Sequence, residues 1–469
     1  MKGIQNSGII ITVAPSYSAI RYGILRITPG SLRCKLYCRG TNCKYCSWKS
    51  WSTKQQAIHG LYSSWITKKI IAMSRPTVKT FAVNNLITQL HRTSICTVIS
   101  LQMPGEHESC GPKLLSSGFT YNPEEFMQNG IQFYNFVWPD FGTLGIEMLL
   151  DIVKVVHLSL KLGKVAIHCH AGLGRTGVVI GAYLIWAKNY TYAEAIGYVR
   201  NARCKQTSKR LDQNMPNSVQ TKKQINLMRK FELYLEKNGA ALPEAGRMHL
   251  SDYLKIQRQI LSSGQARKYH HIPKVLHAAM KELLLAVYGE LNGRTRRWIT
   301  DALKSVLPFD QEFHKKGTLH LPAPAKTKSE ELDICISGVI ENGSEVLSSN
   351  YANGKKCSNN TFKINNCAKF IRSRFRGNML QLVNIIDRLM NSIIKPVIPK
   401  EFLVDNPWHT SEDVDWYCLH RYLLLTMVPL GNGNHKNIGR LMNRWYLGKS
   451  NIDYSDEFII ALHNQVSRT

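Results

Sequence analysis

Three residues of this 469-residue chain have the types and spacing to cleave a phosphate ester. Cys169 and Arg175 stand six positions apart within Lys164–Trp186, KVAIHCHAGLGRTGVVIGAYLIW. Asp140 stands in Trp138-Pro139-Asp140-Phe141-Gly142. A phosphoester dianion must be held, attacked and relieved of its leaving group. In the loop His170-Ala171-Gly172-Leu173-Gly174-Arg175, the two glycines let backbone N–H groups turn inward around the phosphate oxygens. Arg175 offers a planar fork that grips two of those oxygens together. Cys169 is expected to be the nucleophile, because a helix that opens from the loop favours an anion at its N-terminus. Thr176 is expected to hydrogen-bond the thiolate as it leaves, and His168 to hold the loop rather than act as a base. Asp140 is the expected general acid, in a loop that Pro139 stiffens and Gly142 frees to move. The intermediate would be a phosphocysteine, hydrolysed by water with the same aspartate as base.

Such groups must be held by rigid elements. Val165-Ala166-Ile167 is a wholly apolar run, as in the centre of a parallel sheet. The helix expected over Val178–Trp186 is apolar on nearly every side and has to be buried. Residues 146–161 give an amphipathic helix, with Leu149, Ile152, Val153, Val156 and Leu160 on one side. Strands are expected at Thr97–Leu101 and Ile131–Val137, and helices at 78–92, at 192–203 and near 220–236. Residues 56–72 read as a short helix followed by a strand. The alternation predicts an α/β fold: a central, mostly parallel sheet flanked by helices, followed by all-α C-terminal segments. The expected organisation is a basic cysteine-containing segment (1–55), the α/β domain (56–240), a helical extension (241–310), a flexible linker rich in Lys, Ser, Asn and Gly (311–368) and a small helical region (369–469).

The composition is otherwise ordinary, with 44% hydrophobic and 20% charged residues, but the formal net charge is +29. Glu106 is the first acidic residue, so the preceding chain is basic throughout and suits an anionic partner. Twelve cysteines are scattered rather than arranged as a secreted disulfide framework, which points to a reducing, cytoplasmic setting. No apolar run approaches the roughly 18 residues of a membrane span, and the short run Gly8–Ala14, cut off by Pro15, is a poor secretion signal. Cys34, Cys38, Cys43 and Cys46 could hold zinc. Their compressed C-x3-C-x4-C-x2-C spacing leaves little chain to fold around a metal, and free or partly buried thiols are the competing reading. No cofactor is required by the chemistry.

His168–Gly177 resembles the HCxxGxxRTG signature of cysteine-dependent protein tyrosine and dual-specificity phosphatases, and Trp138-Pro139-Asp140 resembles their general-acid loop. Tyr62-Ser63-Ser64-Trp65, Ala72–Pro76, Pro104–Gly111, Pro216–Thr221 and Leu250–Leu254 are similar to one branch of that family, with relatives among mitotic-exit phosphatases. The resemblance implies the dual-specificity fold, Cys169 as nucleophile, Arg175 as phosphate ligand, Asp140 as acid, and Gln220 or Gln224 as the water-positioning glutamine. It also implies an association with centrosomes and cilia. One departure stands out. Where the family goes from arginine almost directly to Pro-Asn-Ser, Cys204–Met215 intervenes here between Arg203 and Pro216.

Phosphorylated proteins are the expected substrates. Phosphoinositide phosphatases that resemble this loop carry lysines in it, whereas Leu173 has no charge and His170 is mostly neutral at pH 7. An RNA 5′-phosphatase and a non-catalytic phosphoprotein-binding scaffold are the alternatives. The basic charge would suit RNA, but such enzymes generally lack the general acid, so nucleic acid is not the expected partner.

Overall fold

A computed structural model describes residues 13–140, 142, 144–204, 218–242, 248–289, 293–305, 324–342, 363–394, 411–431 and 436–447. The intervening segment 205–217, which holds nearly all of the unexpected Cys204–Met215, lies outside the described residues. The chain divides into two compact units, Met1–Leu235 and Glu236–Thr469.

The first unit is built on five strands, β1 (Ser63–Trp65), β2 (Ile70–Met73), β3 (Ile95–Ser100), β4 (Gln132–Asn135) and β5 (Lys164–His168), in the order β1-β2-β5-β3-β4. The β1–β2 hairpin is antiparallel and the other pairings are parallel. β5 lies at the centre: Ala166 is registered against Ile71 of β2 on one side and Val98 of β3 on the other. Nine helices are described in this unit: α1 (Ala19–Ile27), α2 (Gly30–Tyr37), α3 (Val78–Ala82), α4 (Leu86–Arg92), α5 (Glu124–Gln128), α6 (Ile146–Leu162), α7 (Gly174–Lys188), α8 (Tyr192–Cys204) and α9 (Lys222–Asn238). Helix α7 buries every side chain from Arg175 to Trp186, as its apolar surface requires. On α6 the buried set includes Leu149, Ile152, Val153, Val156 and Leu160.

Two local expectations are corrected. Residues 56–72 form no α-helix; the apolar residues from Ile70 on enter β2, and Ser63–Trp65 pair back along it. The helix expected over 78–92 is two helices, α3 and α4, broken at Asn85 in the left-handed region (φ 50°). Asparagine tolerates that conformation, which periodicity alone does not register.

Among its described residues the second unit is mainly helical, with a two-residue pairing of Met248–His249 with Ile393–Ile394 and a single bridge between Ala240 and Lys363. The stripe Val275, Leu276, Ala279, Leu283 and Leu284 is buried in its core, together with Leu382, Val383, Ile386, Leu389 and Met390. The segment 311–368, expected as a linker, contains a helix over Lys326–Asn342 with Leu332, Ile336 and Val339 buried. Their spacing marks one helical face, masked by the polar composition around it. No helix among the described residues is long and apolar enough to cross a membrane.

Candidate active site

The loop between β5 and α7 sits at the carboxyl ends of the parallel strands, where open α/β sheets bind ligands. Its backbone is tied to both neighbouring strand ends. Leu101 N donates to His168 O at 2.9 Å, and Arg75 N donates to His170 O at 3.0 Å. Gly172 has φ +67°, and a Cβ there would lie 2.0 Å from Met73 O, so only glycine fits. Arg203 donates to Gly172 O and lies over the Tyr62 ring.

Cys169 lies in the floor of a cavity of about 420 Å³ and is 3% exposed. The same cavity is lined by Asp140, His170, Ala171, Gly174, Arg175, Gln220 and Gln224. Leu173 is not among its lining: it is buried against Trp51 and Tyr62. Its side chain is therefore a packing contact, and its lack of charge carries less weight for substrate choice than the sequence suggested.

His168 is a positioning residue. Tyr121 Oη and His168 Nε2 are 2.9 Å apart, and Nδ1 is 3.3 Å from Cys169 O. Complete burial pushes its pKa down to about 3, with Arg175 and Arg75 working in the same direction. A neutral imidazole here holds the loop. Thr176, expected to bond the thiolate, has a buried hydroxyl with no hydrogen-bond partner among the described residues.

Arg175 is held by a residue that motif reading missed. Glu106 grips it with both oxygens, Nη1 to Oε2 at 2.6 Å and Nη2 to Oε1 at 2.5 Å. Nη1 also donates to Leu101 O and Trp138 O, at 3.0 and 2.7 Å. Asp140 Oδ1 is 3.2 Å from Nη2. Burial opposes the charge of Arg175, but Asp140 and Glu106 more than offset it and raise its pKa. Asp140 shows the converse. Burial would raise its pKa, yet Arg175, then His107, hold it down to about 2, so the carboxylate is ionised in this geometry. His107 Nε2 lies 3.3 Å from Asp140 Oδ2.

Arg75, 1% exposed, shapes the segment carrying Glu106 and His107 by donating to the carbonyls of Glu106, His107 and Cys110. In the sequence Glu106 stood out as the first carboxylate of a long basic stretch and lay within the family-like stretch Pro104–Gly111, but neither signal gave it a role. The basic N-terminal segment is the other surprise. Tyr17, Arg21, Arg33, Lys44 and Tyr45 line the cavity mouth.

Both glutamine candidates reach the loop. A Cβ on Gly174 would lie 2.8 Å from Gln224 Nε2 and 3.1 Å from Gln220 Oε1. Gln224 is buried, and its Oε1 accepts from the backbone N–H groups of Gln220 and Thr221, at 2.8 and 3.3 Å. Gln220 is tethered to the N-terminal segment, Nε2 to Tyr17 Oη at 3.4 Å. The turn before them is strained at Val219 (φ 55°), a conformation that β-branched residues rarely adopt. Of the four cysteines considered for zinc, Cys34 and Cys38 face His107, while Cys43 and Cys46 face His170.

Residues 131–224 match the family described as dual specificity phosphatase, catalytic domain. The chain is 41% identical over 273 residues (57% of this chain, 37% of the relative) to protein tyrosine phosphatase domain-containing protein 1 of Danio rerio. It is 42% identical over 285 residues (60% and 36%) to the protein of that name in Mus musculus. The match thus spans little more than a third of those curated relatives' length. Tyrosine-protein phosphatase CDC14 of Saccharomyces cerevisiae is 38% identical over 84 residues, 18% of this chain and 15% of that one. Among solved structures, Tk-PTP in its active form is similar at 22% identity and a TM-score of 0.29, over 36% of this chain and 96% of that one. PTPMT1 in complex with PI(5)P is similar at 17% identity and a TM-score of 0.26, over 37% and 95%.

Proposed function

We propose that this chain, which carries a phosphatase domain of the protein tyrosine and dual-specificity type, hydrolyses phosphorylated proteins through a phosphocysteine intermediate. The observation that carries the reading is convergence: Cys169, Arg175 and Asp140 line one cavity, with Asp140 and Arg175 3.2 Å apart.

In the first step Cys169 Sγ attacks phosphorus and the bond to the ester oxygen breaks. The loop N–H groups and Arg175 carry the charge on the transferring group. An entering dianion competes with the Asp140 carboxylate for the Arg175 guanidinium. Displaced from that cation, Asp140 loses much of what holds its pKa low, takes a proton and passes it to the leaving oxygen. In the second step water, oriented by Gln220 or Gln224, attacks phosphorus and gives its proton to Asp140, the phosphorus–sulfur bond breaks, and inorganic phosphate leaves with Cys169 restored as the thiolate. A thiol nucleophile needs a reducing compartment, so the proposal includes a cytoplasmic location.

A second reading is favoured by one observation. Arg21, Arg33 and Lys44 at the mouth could meet the further phosphates of an inositol phosphate, a role the loop itself does not provide for.

The deciding experiment assays the intact chain on a phosphopeptide library, with inositol phosphates and 5′-triphosphorylated RNA alongside. Preferential turnover of phosphopeptides supports the first reading, and preferential turnover of inositol phosphates the second. Cys169→Ser is expected to abolish turnover while keeping phosphopeptide binding. Asp140→Asn is expected to lower kcat on aryl phosphates by about 10²-fold or more. An unchanged rate in either variant would overturn the mechanism.

A further inference from the structure

Thiols and imidazoles gather on one side of the cavity in numbers that phosphoryl transfer does not use. The centre of the gathering is His107. Its Nδ1 lies 3.5 Å from Cys34 Sγ, 3.5 Å from Cys110 Sγ and 4.0 Å from Cys38 Sγ. The Cys110 thiol also meets those of Cys34, Cys38 and Cys43, of which Cys43 turns its other side to His170 rather than His107. Cys34 and Cys110 are buried, at 3% and 0% exposed, and all of these cysteines are free thiols.

We propose that Cys34, Cys38 and Cys110, through Sγ, and His107, through Nδ1, bind one zinc ion that fastens the N-terminal segment to the catalytic unit.

The spacing carries the argument. Zinc bonds of about 2.3 Å to sulfur and about 2.0–2.1 Å to nitrogen, set tetrahedrally, place sulfur and nitrogen about 3.6 Å apart. The three observed separations bracket that edge. Buried cysteines that merely pack do so among apolar side chains; here three thiols face one imidazole nitrogen. The other ring nitrogen supports the same assignment. Nε2 faces Asp140 Oδ2 at 3.3 Å, and a carboxylate on the far nitrogen leaves Nδ1 free of its proton and aimed at the metal. Three thiolates and an imidazole select zinc over the oxygen-seeking cations. Cys34, Cys110 and His107 offer ligand atoms that all lie within 4.8 Å of one another; Cys38, which meets His107 and Cys110, completes the proposed tetrahedron, and four protein donors make the ion structural rather than an activator of water.

The objection raised by the compressed cysteine spacing falls away, because two donors come from a segment some seventy residues further on (|i−j| = 73 between Cys34 and His107). Of the four cysteines first considered, Cys43 and Cys46 are not in this set. Cys43 Sγ and Cys46 Sγ lie 3.5 and 3.8 Å from His170 Nε2, and the His170 ring stacks on His107 with centroids 3.8 Å apart. The site therefore abuts the catalytic loop. Its ligand His107 follows Glu106, which holds Arg175, and the segment it fastens carries Arg21, Arg33 and Lys44 to the mouth.

The test uses the full chain, purified under reducing conditions without chelator or added metal. Elemental analysis is expected to find one zinc per chain. X-ray absorption is expected to show three sulfurs at about 2.3 Å and one nitrogen at about 2.0–2.1 Å. Cobalt-substituted chain should show the intense visible bands of a tetrahedral thiolate site, a readout that needs no variant to fold. Cys34→Ser and Cys110→Ser are each expected to lower zinc content by about tenfold or more. Cys96→Ser, on β3 and outside the cluster, should leave it unchanged. Absence of metal even after reconstitution with a zinc salt and reductant would overturn the proposal. So would zinc undiminished in both ligand variants, and so would a shell of four sulfurs with no nitrogen, which excludes His107.

Discussion

Arg175 and Asp140 illustrate how much of the behaviour of a proposed catalytic residue lies in what touches it. The sequence marked both by motif, but the family-like stretch Pro104–Gly111 gave no role to Glu106, which grips Arg175 with both oxygens. A guanidinium on a long side chain loses rotamer freedom when its fork is fixed, and a fixed fork is what the transferring group meets. Glu106→Gln keeps the shape and removes the charge that fixes Arg175. It is expected to lower kcat/KM on aryl phosphates by about 10²-fold and to weaken competitive inhibition by inorganic phosphate. Phosphate inhibition equal to that of the parent chain would show that Glu106 does not position Arg175. The glutamines carry the complementary lesson. Sequence reading left Gln220 and Gln224 open, and both reach Gly174, one buried and bonded to its own turn, the other tethered to Tyr17.

At the scale of elements, the loop depends on a close approach that spacing alone does not reveal. The signature contains glycines, but why Gly172 must be one is visible only beside β2. Its positive φ is costly for other residues, and the Met73 carbonyl occupies the space a Cβ would need. Gly172→Ala is expected to destabilise the chain by roughly 1–3 kcal/mol, read as a lower urea midpoint, and to reduce turnover more than stability, since the loop N–H groups would turn away. A variant with parental stability and turnover would refute the close approach. The elements that sequence reading placed well, such as α6 and β5, have strong apolar periodicity. Those it misplaced, the hairpin at β1–β2 and the break between α3 and α4, turn on strand pairing and a single left-handed asparagine.

At the scale of the whole molecule, buried histidines couple stability to pH. His277, in the second unit, has its Nδ1 2.8 Å from Tyr422 Oη, and burial, with Lys268 and Lys281, pushes its pKa down to about 3. The folded form keeps it neutral, whereas the unfolded chain takes up a proton near the ordinary value of about 6.5. The unfolded state therefore binds more protons between those values. The contribution is complete above the unfolded pKa and is lost as pH falls towards the folded one, with a slope of at most about 1.4 kcal/mol per pH unit. The urea midpoint of the parent chain should fall from pH 7 to pH 5, and that of His277→Gln should fall less; equal pH dependence would contradict the assignment.

The sequence by itself determined the reaction chemistry it could support and the frame around it. A cysteine, an arginine six residues on and two glycines are local in the chain, and an apolar strand and helix announce themselves by periodicity over adjacent residues. What only tertiary structure decided is what comes together from afar. Glu106 reaches Arg175 across 69 positions, and Cys34 and His107 meet across 73. Burial placed Leu173 in the core and the N-terminal cations at the mouth. Such contacts depend on how the strands order and how the loops fold over their ends, and no spacing along a single chain encodes that directly.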